Sequence, residues 1–226
     1  GCIQSIQNVL RESRSESKID LAFDIVREAR LLQVMDSVVA FFCDSTKSDN
    51  SRIAAGYVLL EFANKEQRKM CRCLLNTSIS NRVKGLLLKL LWPKNLSAKE
   101  LVSLLTPRRE LILDSYSLWL SDDFLKSLVQ CSNEDLLELL KWANDKDIES
   151  DEDYHFSQAL CGIFLHCWKT FDAQTRQGLM LLAKGLEKYA SKYKSPFLDR
   201  DRRQSSNFKY TEGDYKKDTI RRQQMI

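Results

Sequence analysis

Residues 51–62, Ser51-Arg52-Ile53-Ala54-Ala55-Gly56-Tyr57-Val58-Leu59-Leu60-Glu61-Phe62, decide the fold when set beside residues 81–92, Asn81-Arg82-Val83-Lys84-Gly85-Leu86-Leu87-Leu88-Lys89-Leu90-Leu91-Trp92. At an offset of 30 residues Arg52 falls on Arg82, Ile53 on Val83 and Ala55 on Gly85. Tyr57, Val58, Leu60 and Phe62 then fall on Leu87, Leu88, Leu90 and Trp92. A polar cap, an arginine and a β-branched residue opening an apolar helix form the pattern of HEAT-like repeats. Such a hairpin cannot bury its apolar face alone, so it stacks on its neighbours. The expected fold class is all-α, a right-handed α-α superhelix of stacked helical hairpins over residues 1–193.

The same period runs through the rest of the chain. Leu21, Ile25, Ala29 and Leu32 form one stripe, Phe156, Leu160, Ile163, Phe164 and Cys167 a second, and Leu179, Leu182, Ala183 and Leu186 a third. Asn50, Asn64, Asn81, Ser97, Ser132 and Asp172 are candidate N-caps, and Ser97 with Glu100 spells a capping box. Pro93 and Pro107 follow apolar runs and stop them. Helices are expected at 3–12, 18–31, 33–44, 51–63, 65–76, 82–91, 98–105, 122–130, 133–144, 154–169 and 173–190, with 112–120 a weaker candidate.

Composition agrees with this class. Of 226 residues 43% are hydrophobic and 29% charged, while only 7 are Gly and 3 are Pro, so turn punctuation for strands is scarce. No run of apolar residues is long enough for a membrane span, and no secretory signal opens the chain. The 7 cysteines are odd in number and scattered over apolar faces, as free thiols in a reducing compartment would be, which makes the cytoplasm the expected location. The net charge is +4, but residues 192–226 carry ten Lys/Arg against five Asp/Glu, leaving the rest of the chain at −1. After Tyr193, Ser195-Pro196 breaks the helix. Residues 194–226 are expected to be a basic, loosely ordered tail or the start of a further repeat.

Chemical constellations are sparse. The phosphate-binding loop pattern is absent, and Gly178 and Gly185 lie inside an apolar helix. Cys71 and Cys73 are two apart, so on an α-helix their thiols diverge by about 200° and cannot share a metal ion. Cys161, His166 and Cys167 are five and six apart rather than three or four, and His155 lies too far along to complete a set. The acids Asp145, Asp147, Glu149, Asp151, Glu152 and Asp153 do not make an EF-hand, since Ser150 stands at the turn glycine and Phe156 at the bidentate glutamate. His155 and His166 would sit about 16 Å apart along one helix, with no strained nucleophile turn nearby. No catalytic, cofactor-binding or metal-ligating residue is expected, nor any cofactor, and the chain does not read as an enzyme. Partner-binding residues cannot be named from the sequence.

Two basic features stand apart. Arg108-Arg109 and the tail pairs Arg202-Arg203, Lys216-Lys217 and Arg221-Arg222, interleaved with Phe197, Phe208, Tyr210 and Tyr215, are a mix that suits single-stranded nucleic acid, although five acids intervene. Gly1-Cys2-Ile3-Gln4-Ser5, if preceded by Met, would fit an N-myristoylation signal with an adjacent acylatable cysteine.

Residues 81–120 also carry a family resemblance. Asn81 to Pro93, Asn95 to Leu101, Leu104 to Arg109 and Ser115 to Leu120 resemble the helical region that follows the NTPase module in bacterial NACHT-type STAND proteins. Trp92-Pro93, Leu96-Ser97-Ala98, Leu105-Thr106-Pro107 and Tyr116 carry the likeness. Leu136 to Ala143, with Trp142, and Leu160 to Leu182, with Trp168 and Phe171-Asp172, resemble later segments of that region, and Arg200 to Arg203 echoes an arginine-rich step. The resemblance covers about residues 50–203. It departs at Ser115, where the family has Gly-Ala, and at Arg108, which replaces a second proline. Its matching residues are structural, so no functional residue is carried over.

The resemblance implies a part of a larger protein. STAND proteins couple an ATPase switch to a sensor and an effector, and many bacterial members defend against phage. On this basis the chain would be a non-catalytic interaction scaffold or sensor segment, with a protein partner or the rest of a multidomain chain as its ligand. The alternative is a free-standing helical module that binds nucleic acid or a membrane surface through its basic or acylated ends.

Overall fold

The computed structural model describes residues 1–107, 113–146, 154–171 and 176–192. Among them every regular element is helical. In chain order these are α1 (Cys2–Glu12), α2 (Glu16–Glu28), α3 (Met35–Cys43), α4 (Asp49–Phe62), α5 (Lys65–Met70), α6 (Asn81–Leu91), α7 (Ala98–Leu104), α8 (Ser115–Leu118), α9 (Phe124–Ser127), α10 (Asn133–Asp145), α11 (Tyr154–Thr170) and α12 (Arg176–Lys192). A 3-10 turn at Leu32–Val34 leads into α3, and α5 tightens into a 3-10 segment at Cys71–Asn76.

The expected helices are present, with instructive differences. The candidates at 112–120 and 122–130 are one continuous rod. α8 passes into a π-helical stretch, Trp119–Asp123, which continues through α9 into a 3-10 end at Leu128–Gln130. Wide π turns place Trp119 and Leu120 in the core at 2% and 1% exposure, and that packing offsets the poorer backbone geometry. Ser48 rather than Asn50 caps α4, and Ser80 rather than Asn81 caps α6, each side chain accepting an N–H three residues on. The two helices therefore correspond at an offset of 32, not 30. At that offset buried Ser51, Ala55, Gly56, Val58 and Leu59 match buried Val83, Leu87, Leu88, Leu90 and Leu91, while exposed Tyr57 matches exposed Lys89. Asn64, Ser97 and Ser132 cap α5, α7 and α10 as expected, and both Asn64 and Ser97 close full capping boxes. Asp172 lies outside the described residues, as do Arg108-Arg109, the whole acidic run after Asp145, and the tail.

Packing proceeds between neighbours. α2 lies on α4, α4 on α6 and α6 on α8, while α11 covers the π stretch and α9. On the other side α1 packs on α3, α3 on the Cys71–Asn76 segment, α7 on α10, and α10 on α12. The buried side chains form one cluster running from Ile6 to Leu182.

Backbone meets backbone most closely where α6 approaches the start of α8. A Cβ built on Gly85 would lie 2.3 Å from the Ser115 carbonyl carbon and 2.4 Å from the Tyr116 nitrogen, so only glycine lets the two backbones meet. The Ser115 hydroxyl donates to the Arg82 carbonyl beside it. Tyr116 is fully buried, and its hydroxyl donates to the Thr106 carbonyl at 3.1 Å and accepts the Thr106 N–H at 3.0 Å. Gly185 has a comparable role, with a built Cβ falling 2.0 Å from the Phe164 ring.

Gly85→Ala is expected to lower stability by about 3 kcal/mol, because backbone cannot move aside for the methyl group. Gly56→Ala, which meets the mobile Leu86 Cδ1 at 2.9 Å, should change it by no more than about 1 kcal/mol. Urea unfolding of both variants checks the contrast. Arg30 ends α2 with φ 48°, in a cap where Arg30 N–H bonds the Arg27 carbonyl and Leu31 N–H the Val26 carbonyl. That is a glycine position occupied by arginine, so Arg30→Gly should stabilise the protein by about 1 kcal/mol in the same assay.

Candidate functional site

The α2 surface is the first candidate. Its buried face is Ile19, Ala22, Phe23 and Val26, with the Phe23 ring edge-on to Phe41 at 5.3 Å between centroids. The stripe read from the sequence, Leu21, Ile25, Ala29 and Leu32, faces outward. Leu21 is 60% exposed, Ile25 37% and Leu32 57%. α2 has apolar residues on two faces, and the bulkier one, which holds Phe23, went inside. On the adjoining α4, Tyr57 is 53% exposed, and Arg27 on α2 pairs with Glu61 on α4 at 3.5 Å. This exposed apolar surface is divided between the two helices, with Leu21 and Ile25 on a different side of α2 from Arg27. It offers contact area and no reactive group.

A second candidate is a polar hollow where the end of α1 meets the start of α4. Arg11, Arg14 and Lys47 are there, but so are Glu12 and Glu16. The groups answer one another. Lys47 Nζ donates to the Arg11 carbonyl at 3.4 Å and stands 5.1 Å from the centre of the Phe41 ring. Ser48 Oγ donates to Glu16 Oε1 at 2.6 Å, and Arg11 pairs with Glu12 at 2.9 Å. Internal pairing of this kind leaves little charge for an anion.

The corner after α6 is the most elaborately built part of the surface. Trp92 caps α6, and its peptide to Pro93 is cis. Its indole N–H donates to Ser127 Oγ at 2.7 Å, so a buried donor is satisfied across 35 residues of sequence. Arg72 donates to the Asn95 carbonyl and to Glu100 Oε1, while Glu100 Oε2 accepts the Ser97 N–H at 3.0 Å and the Ser97 hydroxyl at 2.8 Å. The Ser97 backbone bond, then Arg72, then the Ser97 hydroxyl pull the Glu100 carboxyl down to about 2. The Ala98 N–H donates to Asp135 Oδ1 at 3.2 Å and ties the next helix to this corner. These are joints rather than reactive centres.

The thiols and histidines fall as follows. Cys161 and Cys167 stay on α11, where burial raises both thiols, Cys167 to about 12. Cys131 is also raised to about 12, by burial and then by Asp135. His166 on the same helix is lowered, by burial and then by Lys169. Among the described residues no group of three or more His, Cys, Asp or Glu side chains could hold a metal ion. Sequence spacing gave no hint that Cys43, 28 residues before Cys71, ends α3 against the 3-10 segment carrying Cys71 and Cys73. The Cys43 pKa is raised strongly, first by the Cys71 thiol and then by burial, while Cys73 acts in the opposite direction. The Cys73 thiol is raised to about 11, by burial and then by Cys43. A signal existed, since Cys43 and the 71–73 pair both sit at helix ends, but only packing joins them.

No protein-family model, curated protein or solved structure matches this chain. No helix among the described residues is long and apolar enough to cross a membrane.

Glu100 makes folding sensitive to acid. Its folded pKa of about 2 lies below the ordinary 4.5, so its stabilisation is complete above 4.5 and is lost as pH falls from there towards 2. Glu100→Gln, which keeps an acceptor for Ser97 but gives up the charge facing Arg72, should shallow the loss of thermal stability between pH 5 and 2. Melting curves across that interval check it.

Proposed function

We propose that this chain is a non-catalytic protein-interaction segment, a stack of helical hairpins forming a right-handed superhelix within a larger NACHT/STAND-type signalling NTPase. The observation that carries the interaction role is the set of outward apolar side chains Leu21 and Ile25 on α2, Leu32 in the turn after it, and Tyr57 on α4. An apolar stripe at helical spacing costs solubility unless something covers it. Helices that pack in two rows, each on its neighbours, favour the superhelix. Matching burial in α4 and α6 at an offset of 32 supports it further.

The NTPase context rests on the resemblance over residues 50–203. Its residues are those that build joints: Trp92 to Ser127, Ser97 to Glu100 and Tyr116 to Thr106. A rigid set of joints would transmit movement between a switch and a sensor as a body. Antiphage defence in the cytoplasm is the setting this context suggests.

Sequencing the gene upstream of the Gly1 codon tests the context. An in-frame region encoding a phosphate-binding loop is expected; a start codon directly before Gly1 would remove the NTPase assignment. Binding to single-stranded oligonucleotide and to phosphatidylserine vesicles tests the rest. Removal of residues 193–226 is expected to leave both unchanged. A salt-dependent affinity that disappears with those residues would favour a module acting through its basic end.

A further inference from the structure

We propose that Cys43, Cys71 and Cys73 form an oxidisable thiol site, in which hydrogen peroxide drives formation of a disulfide between Cys43 and Cys73. The site is built by tertiary contact. α3 ends at Cys43, packs on the Cys71–Asn76 3-10 segment, and brings the Cys43 thiol against the other two. Exposure grades the three in a useful order, with Cys73 exposed, Cys43 half-buried and Cys71 buried. A small oxidant therefore reaches Cys73 before Cys43 or Cys71.

Arg52 is the second observation. It is 3% exposed, its Nε donates to the Phe42 carbonyl at 2.9 Å, and one terminal nitrogen has no hydrogen-bond acceptor. Its positive charge acts on Cys43 and favours the thiolate, against burial and the contact with Cys71. A buried guanidinium beside a thiol is an arrangement that steadies a thiolate as it attacks.

The step balances with the oxidant named. The peroxide transfers one oxygen to the Cys73 sulfur, giving a sulfenic acid and a first water. The Cys43 sulfur then attacks the Cys73 sulfur. The S–S bond forms, the S–O bond breaks, and hydroxide leaves with the Cys43 proton as a second water. Two thiols lose two electrons and two protons, and the peroxide is reduced to two waters. Both thiols are largely protonated at neutral pH, so the first step is slow and the site answers sustained rather than basal oxidant. The bond would join the end of α3 to the segment after α5, closing a loop that holds α4.

Tryptic mapping of the full chain after hydrogen peroxide, without reduction, decides the matter. Trypsin cuts at Arg72 and so separates Cys71 from Cys73. The expected product is an intramolecular link between the peptides 31–47 and 73–82, lighter by two hydrogens, together with a raised melting temperature that dithiothreitol reverses. Cys71→Ser should keep the link, whereas Cys43→Ser and the exposed Cys73→Ser should each abolish it. A link to the peptide 70–72, disulfides between chains, or sulfinic acid on Cys73 with no link would each overturn the proposal.

Discussion

The close approach of α6 to α8 at Gly85 is the constraint on which the middle of the structure depends. With no side chain at that point, the backbone of Ser115 and Tyr116 comes to rest on the helix, which sets the start of the rod that follows. The rod then carries Tyr116, Trp119 and Phe124 inward as one aromatic column. Trp119 stacks on Tyr116 at 6.5 Å and meets Phe124 at 5.3 Å, and Phe124 in turn reaches Trp92 at 6.3 Å. Trp92 closes the circuit through Ser127. Dispersion among large rings and a few satisfied polar tips make this joint stiff.

Around that joint, polar groups mainly finish helix ends. Ser48, Asn64, Ser80, Ser97, Asp114 and Ser132 each accept a backbone N–H that would otherwise be orphaned. Exposed pairs such as Lys126–Asp122 and Lys69–Glu66 add little by comparison, because water screens them and two long side chains must be ordered. Arg52 is the exception, since its guanidinium is buried with one nitrogen unanswered. A charge kept there at some cost to folding sits beside the one cluster of thiols that packing assembles, while the outward row on α2 is apolar surface that folding leaves uncovered.

How far the sequence could be followed depended on whether a signal was local. The capping boxes at Asn64 and Ser97 were legible because each partner lies three residues away. Ser48 and Ser80 were not distinguished from Asn50 and Asn81, since several polar residues precede each helix and the angle of chain entry selects among them. The rod from Ser115 to Gln130 read as two helices, because a π stretch has no composition of its own and is held by Trp119 and Leu120 packing inward. Periodicity found the stripe on α2 but could not orient it, for it reports that a face is apolar and not which of two apolar faces meets a neighbour.

The sequence by itself determined that the chain is helical, where most helices begin and stop, and that no familiar catalytic or phosphate-binding pattern is present. Those properties follow from spacing, propensity and caps, which act over a turn or two of backbone. Tertiary structure decided which faces are buried, that Gly85 admits a neighbouring backbone, that Arg52 is enclosed while Arg82 near the start of α6 is exposed and bonds Asn50 at 2.9 Å, and that Cys43 meets Cys71 and Cys73. Each of these depends on residues about 10 to 30 positions apart in the chain. Their meeting is set by how helices pack, a sum over many weak contacts that no short stretch of sequence contains.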